Sequence, residues 1–166
     1  MHSLKAFLML LLVTVISCVS SGEVAEDHPR ESDLLAFKGR DRFARGEDVR
    51  IQVENRSRDT LYLYKPKNLI IHKKQKDGWK RIRTLYCPCG ASCPAPPEKL
   101  PLEPGANYTY TWDQKEKWCG EMTAAGIPRM HRQFPGNGTY RLTVRHLQKA
   151  RGAVQTLYKQ FTIHKN

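Results

Sequence analysis

The chain from about Leu34 onward is built from short runs in which apolar and polar residues alternate. Val49, Ile51 and Val53 alternate with charged or polar residues, the period-2 pattern of a strand with one buried face. No stretch has sustained helical periodicity. Seven or eight short strands without intervening helices predict an all-β fold, an antiparallel β-sandwich. Further strand-like segments lie near residues 61–64, 69–72, 79–83, 108–112, 140–145 and 154–163.

Turn-forming residues separate these segments. Asp77-Gly78 lies between two strand-like runs, so residues 69–83 are predicted to form a hairpin. Pro104-Gly105 and the cluster at 135–138 each precede a run of alternating residues, as turns before strands do.

The first 17 residues have the pattern of a signal peptide. Lys5 supplies a positive charge, residues 6–16 are apolar, and small residues follow. This apolar run is too short to cross a bilayer as a helix. Residues 18–33 are polar and acidic, which predicts a flexible tether. Residues 34–166 are predicted to form one β-sandwich domain, since their number suits a single core.

The end of the signal segment, Val15-Ile16-Ser17-Cys18, resembles the lipobox of bacterial lipoproteins. The resemblance implies that Cys18 is lipidated and that the protein is an exported lipoprotein of the cell envelope or outer membrane. The alternative is ordinary cleavage near Ser17 or after Ser21, which would give a secreted protein. In either case four cysteines remain, an even number that suits two bridges.

Three of these four cysteines, Cys87, Cys89 and Cys93, lie in one proline-rich loop, and Cys119 follows later. Their spacing does not match the paired Cys-x2-Cys of structural zinc sites, so disulfides are predicted in an exported protein. Four cysteines allow three pairings. A bridge between Cys87 and Cys89 would close a very short ring, so we expect one of them to pair with Cys119 and the other with Cys93.

Four motifs follow one another along the chain: Val53-x-Asn55-x-Ser57 with Leu61, Asp77-Gly78-Trp79, Leu102-x-Pro104-Gly105 leading to Trp112, and Pro135-Gly136-Asn137-Gly138-Thr139-Tyr140-Arg141-Leu142. Together they resemble bacterial immunoglobulin-like domains, and within that group the chain is most similar to BsuPI-type proteinase inhibitor domains. The resemblance covers about residues 36–164 and implies an immunoglobulin-like sandwich, a binding module without catalytic residues, and inhibition of a serine protease. No residue matches an inhibitory reactive site, and the export signal and the cysteine-rich loop are departures from the inhibitor pattern.

Charge is unevenly distributed along a chain whose formal net charge is +12. Residues 122–166 contain no Asp or Glu, and Arg141 and Arg145 are predicted to share one face of a strand. Such a patch attracts polyanions, here an anionic lipid or glycan, although basic side chains also serve simply as solvated surface. The candidate basic patch is Arg129, Arg132, Arg141, Arg145, Lys149 and Arg151. A second basic group comprises Lys65, Lys67, Lys73, Lys74, Lys76, Lys80, Arg81 and Arg83.

Catalytic and cofactor signals are missing from the sequence. The histidines have no metal-ligand spacing, and the chain has neither a Ser nucleophile elbow nor a phosphate-binding glycine loop. No nucleic-acid-binding motif accompanies the basic charge, which disfavours nucleic acid as a partner. We therefore expect no enzyme activity, no metal and no cofactor.

Binding is the function that remains. The long segment from Asp113 to Phe134 and the loop 90–97 are predicted to form a recognition surface, tied together through Cys119. Trp112 is interpreted as a core residue rather than a ligand platform. The sequence predicts an exported, lipid-anchored, non-catalytic binding module whose partner is an envelope component or another protein. The alternatives are a BsuPI-like proteinase inhibitor and a polyanion-binding protein.

Overall fold

The computed structural model describes residues 33–165. These residues form twelve β-strands. In chain order the strands are β1 Leu35–Lys38, β2 Arg42–Ala44, β3 Val49–Asn55, β4 Leu61–Tyr64, β5 Ile71–Gln75, β6 Gly78–Ile82, β7 Lys99–Leu102, β8 Asn107–Trp112, β9 Glu116–Met122, β10 Pro128–Gln133, β11 Gly138–Leu147 and β12 Gln155–His164.

The larger sheet contains seven strands and is organised around β11. β12 pairs with β11 in antiparallel fashion along almost its full length. On its other side, β11 pairs with β5 through residues 140–142 and with β4 through His146 and Leu147. β6 then pairs with β5, β7 pairs with β4, and β2 pairs with β12 in parallel. The long β11 therefore connects both halves of this sheet.

A smaller sheet, β1-β3-β8, packs against the larger one. The ring of Trp112 on β8 lies 5.3 Å from that of Tyr140 on β11 and 6.3 Å from that of Phe161 on β12, between centroids. One apolar cluster contains side chains from both sheets. The predicted all-β class and the sandwich are therefore confirmed, while the immunoglobulin-like relationship stays a prediction.

The number of strands differs from the expectation, because the described residues contain twelve strands rather than seven or eight. The additional strands are short or exposed: β2 has three residues, of which one is buried, and β9 has no buried residue. A strand without a buried face leaves no apolar alternation in the sequence. The parallel pairing of β2 with β12 was also not predicted.

Two local predictions are confirmed. Residues 69–83 contain a hairpin, in which β5 pairs with β6 and Gln75 lies opposite Gly78. Gly78 has a φ of +116°, a conformation that glycine adopts without steric cost. Trp112 is a core residue, since its exposed fraction is 3 %.

Residues 113–134 are not the irregular connection that their length predicted. They contain the hairpin of β9 and β10, with Glu116 opposite Gln133 and Met122 opposite Pro128. This pair forms a two-stranded sheet separate from the sandwich sheets. Its side chains are mostly exposed or half-buried, so the sequence carries no strong strand signal there.

The predicted signal peptide, Cys18 and nearly all of the tether lie outside the described residues. Within residues 33–165, no helix is long and apolar enough to span a membrane.

Candidate functional site

Two disulfides hold the proline-rich loop, and one of them joins it to the hairpin of β9 and β10. Cys89 is bonded to Cys119 on β9, and Cys87 is bonded to Cys93 within the loop. The predicted bridges are confirmed, and the structure decides which of Cys87 and Cys89 reaches Cys119. Disulfides of this kind persist in oxidising compartments, so the protein resides outside the cytoplasm. We call residues 87–97 together with β9 and β10 the disulfide arm.

The loop and the hairpin of the disulfide arm lie close together. A Cβ atom placed on Gly90 would come within 2.8 Å of Cγ2 of Ile127, and Gly90 has a φ of +76°. Only glycine satisfies both conditions without strain. The two segments that were predicted to form a recognition surface therefore lie together, although no ligand-binding geometry follows from that contact alone.

The base of the disulfide arm is attached to the larger sheet by an aromatic stack. The Arg83 guanidinium lies 4.0 Å from the centroid of the Trp118 ring, whose other neighbour is the stacked His131 imidazole at 5.2 Å. Arg83 also donates from Nε to Oε1 of Glu116 at 2.8 Å. Burial opposes ionisation of Glu116, but this hydrogen bond and the charge of Arg83 hold its pKa below the usual value. The arm is thus anchored where β6 ends.

The outer face of the larger sheet is basic. Residues paired across antiparallel strands point to the same side of a sheet, and Arg81, His72, Arg141 and Gln160 form one such row across β6, β5, β11 and β12. Their side chains point outward, because the neighbouring Leu142 is buried in the core. Arg145 lies two positions further along the same face of β11, beyond Thr143, and Lys74 lies on the same face of β5.

Within residues 33–165, the seven strands of the larger sheet contain no Asp or Glu. At the outward positions they carry basic residues from one edge to the other. We call this surface the basic face. It comprises Arg42, Lys74, Arg81, Lys99, Arg141 and Arg145.

Aromatic rings hold the arginines of the basic face. The Arg141 guanidinium lies 4.5 Å from the centroid of the Trp79 ring and 4.3 Å from that of Tyr158. The Arg145 guanidinium lies 4.9 Å from the ring of Tyr64. Such cation–π contacts stabilise each cation by about 0.5–2 kcal/mol and restrict its rotamers. The guanidinium groups of Arg141 and Arg145 are therefore restrained before a ligand binds.

His72 adds little positive charge to the basic face near neutral pH. Burial lowers the pKa of His72, and the charges of Arg141 and Arg81 lower it further. The neutral imidazole contacts Thr143, whose Oγ1 lies 3.2 Å from Nδ1 of His72. The field of this face arises from arginine and lysine.

The six residues of the candidate basic patch lie on three elements. Arg141 and Arg145 lie on the basic face, Lys149 and Arg151 lie in the turn after β11, and Arg129 and Arg132 lie on the disulfide arm. Sequence reasoning placed Lys74 and Arg81 in a second basic group, and the pairing of β5 with β11 brings them beside Arg141. Strand order, which periodicity does not reveal, decides this grouping.

A cleft of about 610 Å³ opens at the edge of the sandwich near the basic face. We call it the edge cleft. Its walls come from the turn between β2 and β3, the connection between β4 and β5, the segment after β6 and the turn between β8 and β9. The polar residues of its lining include Asp48, Lys67, Asn68, Arg81, Asp113, Lys115 and Lys117. Sequence reasoning missed this site, because four separate segments form it.

Among the described residues, no group of three or more His, Cys, Asp and Glu side chains is placed to hold a metal ion. In comparisons with known proteins, no family model matches the chain, and no curated protein matches it either. The geometry described above therefore carries the functional argument.

Proposed function

We propose that this protein is an exported, non-catalytic binding module that recognises an anionic glycan through its basic face. The observation that carries the proposal is the absence of Asp and Glu from all seven described strands of the larger sheet, together with the basic residues that line its outer side. A surface of one charge sign attracts polyanions over several ångströms and increases their association rate.

The restrained side chains of Arg141 and Arg145 favour a ligand-binding role over a role as solvated surface. An unrestrained arginine loses rotamer entropy when it contacts a ligand, whereas Arg141 and Arg145 already rest on aromatic rings. Their guanidinium groups can pair with the carboxylate, sulfate or phosphate groups of a ligand in a two-point geometry.

A glycan fits the basic face better than a bilayer does. Among the described residues, the exposed large hydrophobic side chains are Tyr86, Met122, Ile127 and Val154, and none of these lies on a strand of the larger sheet. The outer positions carry threonine and glutamine beside the cations, which suits hydroxyl-rich ligands.

The predicted lipid anchor at Cys18 indicates where the protein would bind its ligand. Acylation at Cys18, which is part of this proposal, would hold the domain at a membrane surface through the tether of residues 18–33. The ligand would then be a polysaccharide of the cell envelope or one that the envelope encounters.

Binding of heparin and polygalacturonate to the disulfide-bonded protein tests the proposal. The double variant Lys74→Gln/Arg145→Gln is expected to bind about tenfold more weakly, because two charge-assisted contacts are lost. The matched control Lys38→Gln/Arg50→Gln removes the same charge from the smaller sheet and should change binding little. Equal losses in both variants would refute a specific face, and binding to phosphatidylglycerol vesicles but not to either glycan would point to lipid instead.

Proteinase inhibition is the second candidate, and one observation favours it. Residues 91–95 are exposed, lie outside regular strands and are held by the bridge at Cys93. A constrained, exposed segment loses little entropy on binding to a protease. Stoichiometric inhibition in a panel of serine proteases would support this function, and steady cleavage of the loop without inhibition would exclude it.

A further inference from the structure

The edge cleft lies beside the basic face, and Arg81 contributes to both. Its volume of about 610 Å³ falls within the range of small-molecule sites. The lining also includes Thr84 and Tyr86 from the connection after β6, and Thr111 and Trp112 at the end of β8. A ligand that lies across the basic face would therefore meet the cleft at Arg81.

The charges of the cleft are not balanced. Lys117 pairs with Asp113 at 2.7 Å, and Asp48 lies 3.6 Å from Arg50. Lys67 and Lys115 are exposed and make no ion pair among residues 33–165. Once the internal pairs are counted, positive charge remains available to an oxyanion.

Two turns with unusual backbone present these lysines. Among the described residues, Lys65 and Gln114 are the non-glycine residues with positive φ, at 47° and 55°. Lys65 begins the turn that carries Lys67, and Gln114 lies directly before Lys115. Left-handed backbone at such residues is costly and clusters at functional sites. The two strained turns meet at one cleft.

Buried contacts hold the second turn in place. Gln114 is 1 % exposed, accepts a hydrogen bond from Gly46 N at 2.9 Å, and donates one to Ala44 O at 2.7 Å. The Trp112 indole donates to the carbonyl oxygen of Lys115 at 3.1 Å. These contacts position the backbone of Lys115 without using its ammonium group, which stays available to a ligand.

We propose that the edge cleft binds one charged sugar unit, a polyhydroxylated ring that carries a carboxylate or a phosphate. Lys67, Lys115 and Arg81 would bind the oxyanion, the carboxylates of Asp48 and Asp113 would accept hydrogen bonds from ring hydroxyls, and the Asn68 amide would both accept and donate. This inference rests on the proposed function, because the charged sugar in the edge cleft would be the terminal unit of the glycan that lies along the basic face.

The lining distinguishes this ligand class from others. A bare inorganic anion would gain nothing from Asp48 and Asp113, whose carboxylates repel it. An apolar ligand would leave the polar groups of the cleft without hydrogen bonds. A sugar acid or sugar phosphate satisfies both the cations and the hydrogen-bonding groups.

The test is to titrate the ¹⁵N-labelled protein with small ligands and to measure the NMR chemical-shift changes of its backbone amides. The charged probes are digalacturonate, which carries carboxylates, and glucose 6-phosphate, which carries a phosphate. Comparing them shows which of the two anionic groups the cleft recognises. Galactobiose and glucose are their neutral counterparts, and inorganic phosphate is the bare anion. The expected result is binding of at least one charged probe, with shifts centred on residues 67–68, 84–86 and 111–117, and about tenfold weaker binding of its neutral counterpart.

Variants locate the site. Lys67→Gln/Lys115→Gln should weaken binding of the charged sugar by about tenfold or more. The control Lys38→Gln/Lys165→Gln removes two exposed lysines that lie outside the edge cleft and the basic face, and it should leave binding unchanged. Equal thermal midpoints would show that both variants fold.

The outcomes separate this inference from the proposed function. The edge-cleft inference is overturned if no charged sugar binds, if a neutral sugar or inorganic phosphate binds as tightly, or if the cleft and control variants behave alike. Heparin binding that depends on Lys74 and Arg145 would then leave the basic face intact as a proposal. If a charged sugar binds in a way that depends on Lys67 and Lys115 and heparin does not bind, the edge-cleft inference is supported and the basic-face proposal is refuted.

Discussion

At the scale of single residues, His146 is an unusual member of the core. Its side chain is fully buried, and neither ring nitrogen has a hydrogen-bond partner of ordinary geometry among residues 33–165. Burial lowers the pKa of His146, partly opposed by the side chain of Gln155. Protonation would place an uncompensated charge between the two sheets, so the folded protein keeps this imidazole neutral.

This burial predicts a loss of stability on mild acidification. The unfolded chain binds a proton at a pKa near 6.5, above that of folded His146, so the free energy of unfolding falls as the pH drops below about 6.5. His72 has a lowered pKa too and contributes in the same direction.

His146→Leu should remove much of this loss, because leucine has no charged form and fits an apolar site. Urea unfolding at pH 7.5, 6.5 and 5.5 measures the effect, with exposed His164→Gln as the control. An unchanged pH dependence in His146→Leu would show that His146 is not the titrating group.

At the scale of elements, the disulfide arm depends on covalent bonds more than on burial. Most side chains of β9 and β10 are exposed or half-buried, so the hairpin buries little apolar surface of its own. The bridge from Cys89 to Cys119 and the Arg83–Trp118–His131 stack attach it to the rest of the protein. The arm is therefore expected to respond strongly to reduction.

The two bridges should differ in their contribution to stability. In the chain-entropy description, the bridge across 30 residues contributes about 4 kcal/mol and the bridge across 6 residues contributes about 2 kcal/mol. Cys89→Ser/Cys119→Ser should therefore lower the free energy of unfolding more than Cys87→Ser/Cys93→Ser does. Urea unfolding of both variants measures the difference, and a larger loss in the second variant would contradict the prediction.

At the scale of the whole molecule, charge is divided between faces. The carboxylates of residues 33–165 lie in turns and loops, on β3 and on β9, whereas the strands of the larger sheet have none. The protein thus presents one side whose strands carry positive charge and no carboxylate, although Asp41, in the loop before β2, pairs with Lys159 on β12. A long anionic ligand would orient itself along that side.

Binding to the basic face should accordingly depend on salt. Raising NaCl from about 50 to about 500 mM shortens the distance over which charges interact by about threefold, so the affinity for heparin should fall by at least about tenfold. Titration at several salt concentrations measures this. Affinity that is insensitive to salt would contradict recognition by the basic face, whereas binding of a single charged sugar in the edge cleft should vary less.

Much of the fold could be predicted because buried strands leave a period-2 pattern. Val49, Ile51 and Val53 alternate in the sequence and are buried in the structure. β2 and β9 could not be predicted in this way, since one has a single buried residue and the other has none. The edge cleft could not be predicted either, because Lys65 and Gln114 have a left-handed φ, which lysine and glutamine rarely adopt and which the sequence therefore does not indicate.

The sequence by itself determined the all-β class, the hairpin of β5 and β6, and the use of cysteines as bridges, because each follows from residue types and local patterns along the chain. Only the tertiary structure decided that Cys89 rather than Cys87 bonds to Cys119. It also decided that Arg81 lies in one row with Arg141, and that distant turns form a cleft. These features depend on strand order and packing between sheets, which local alternation does not encode.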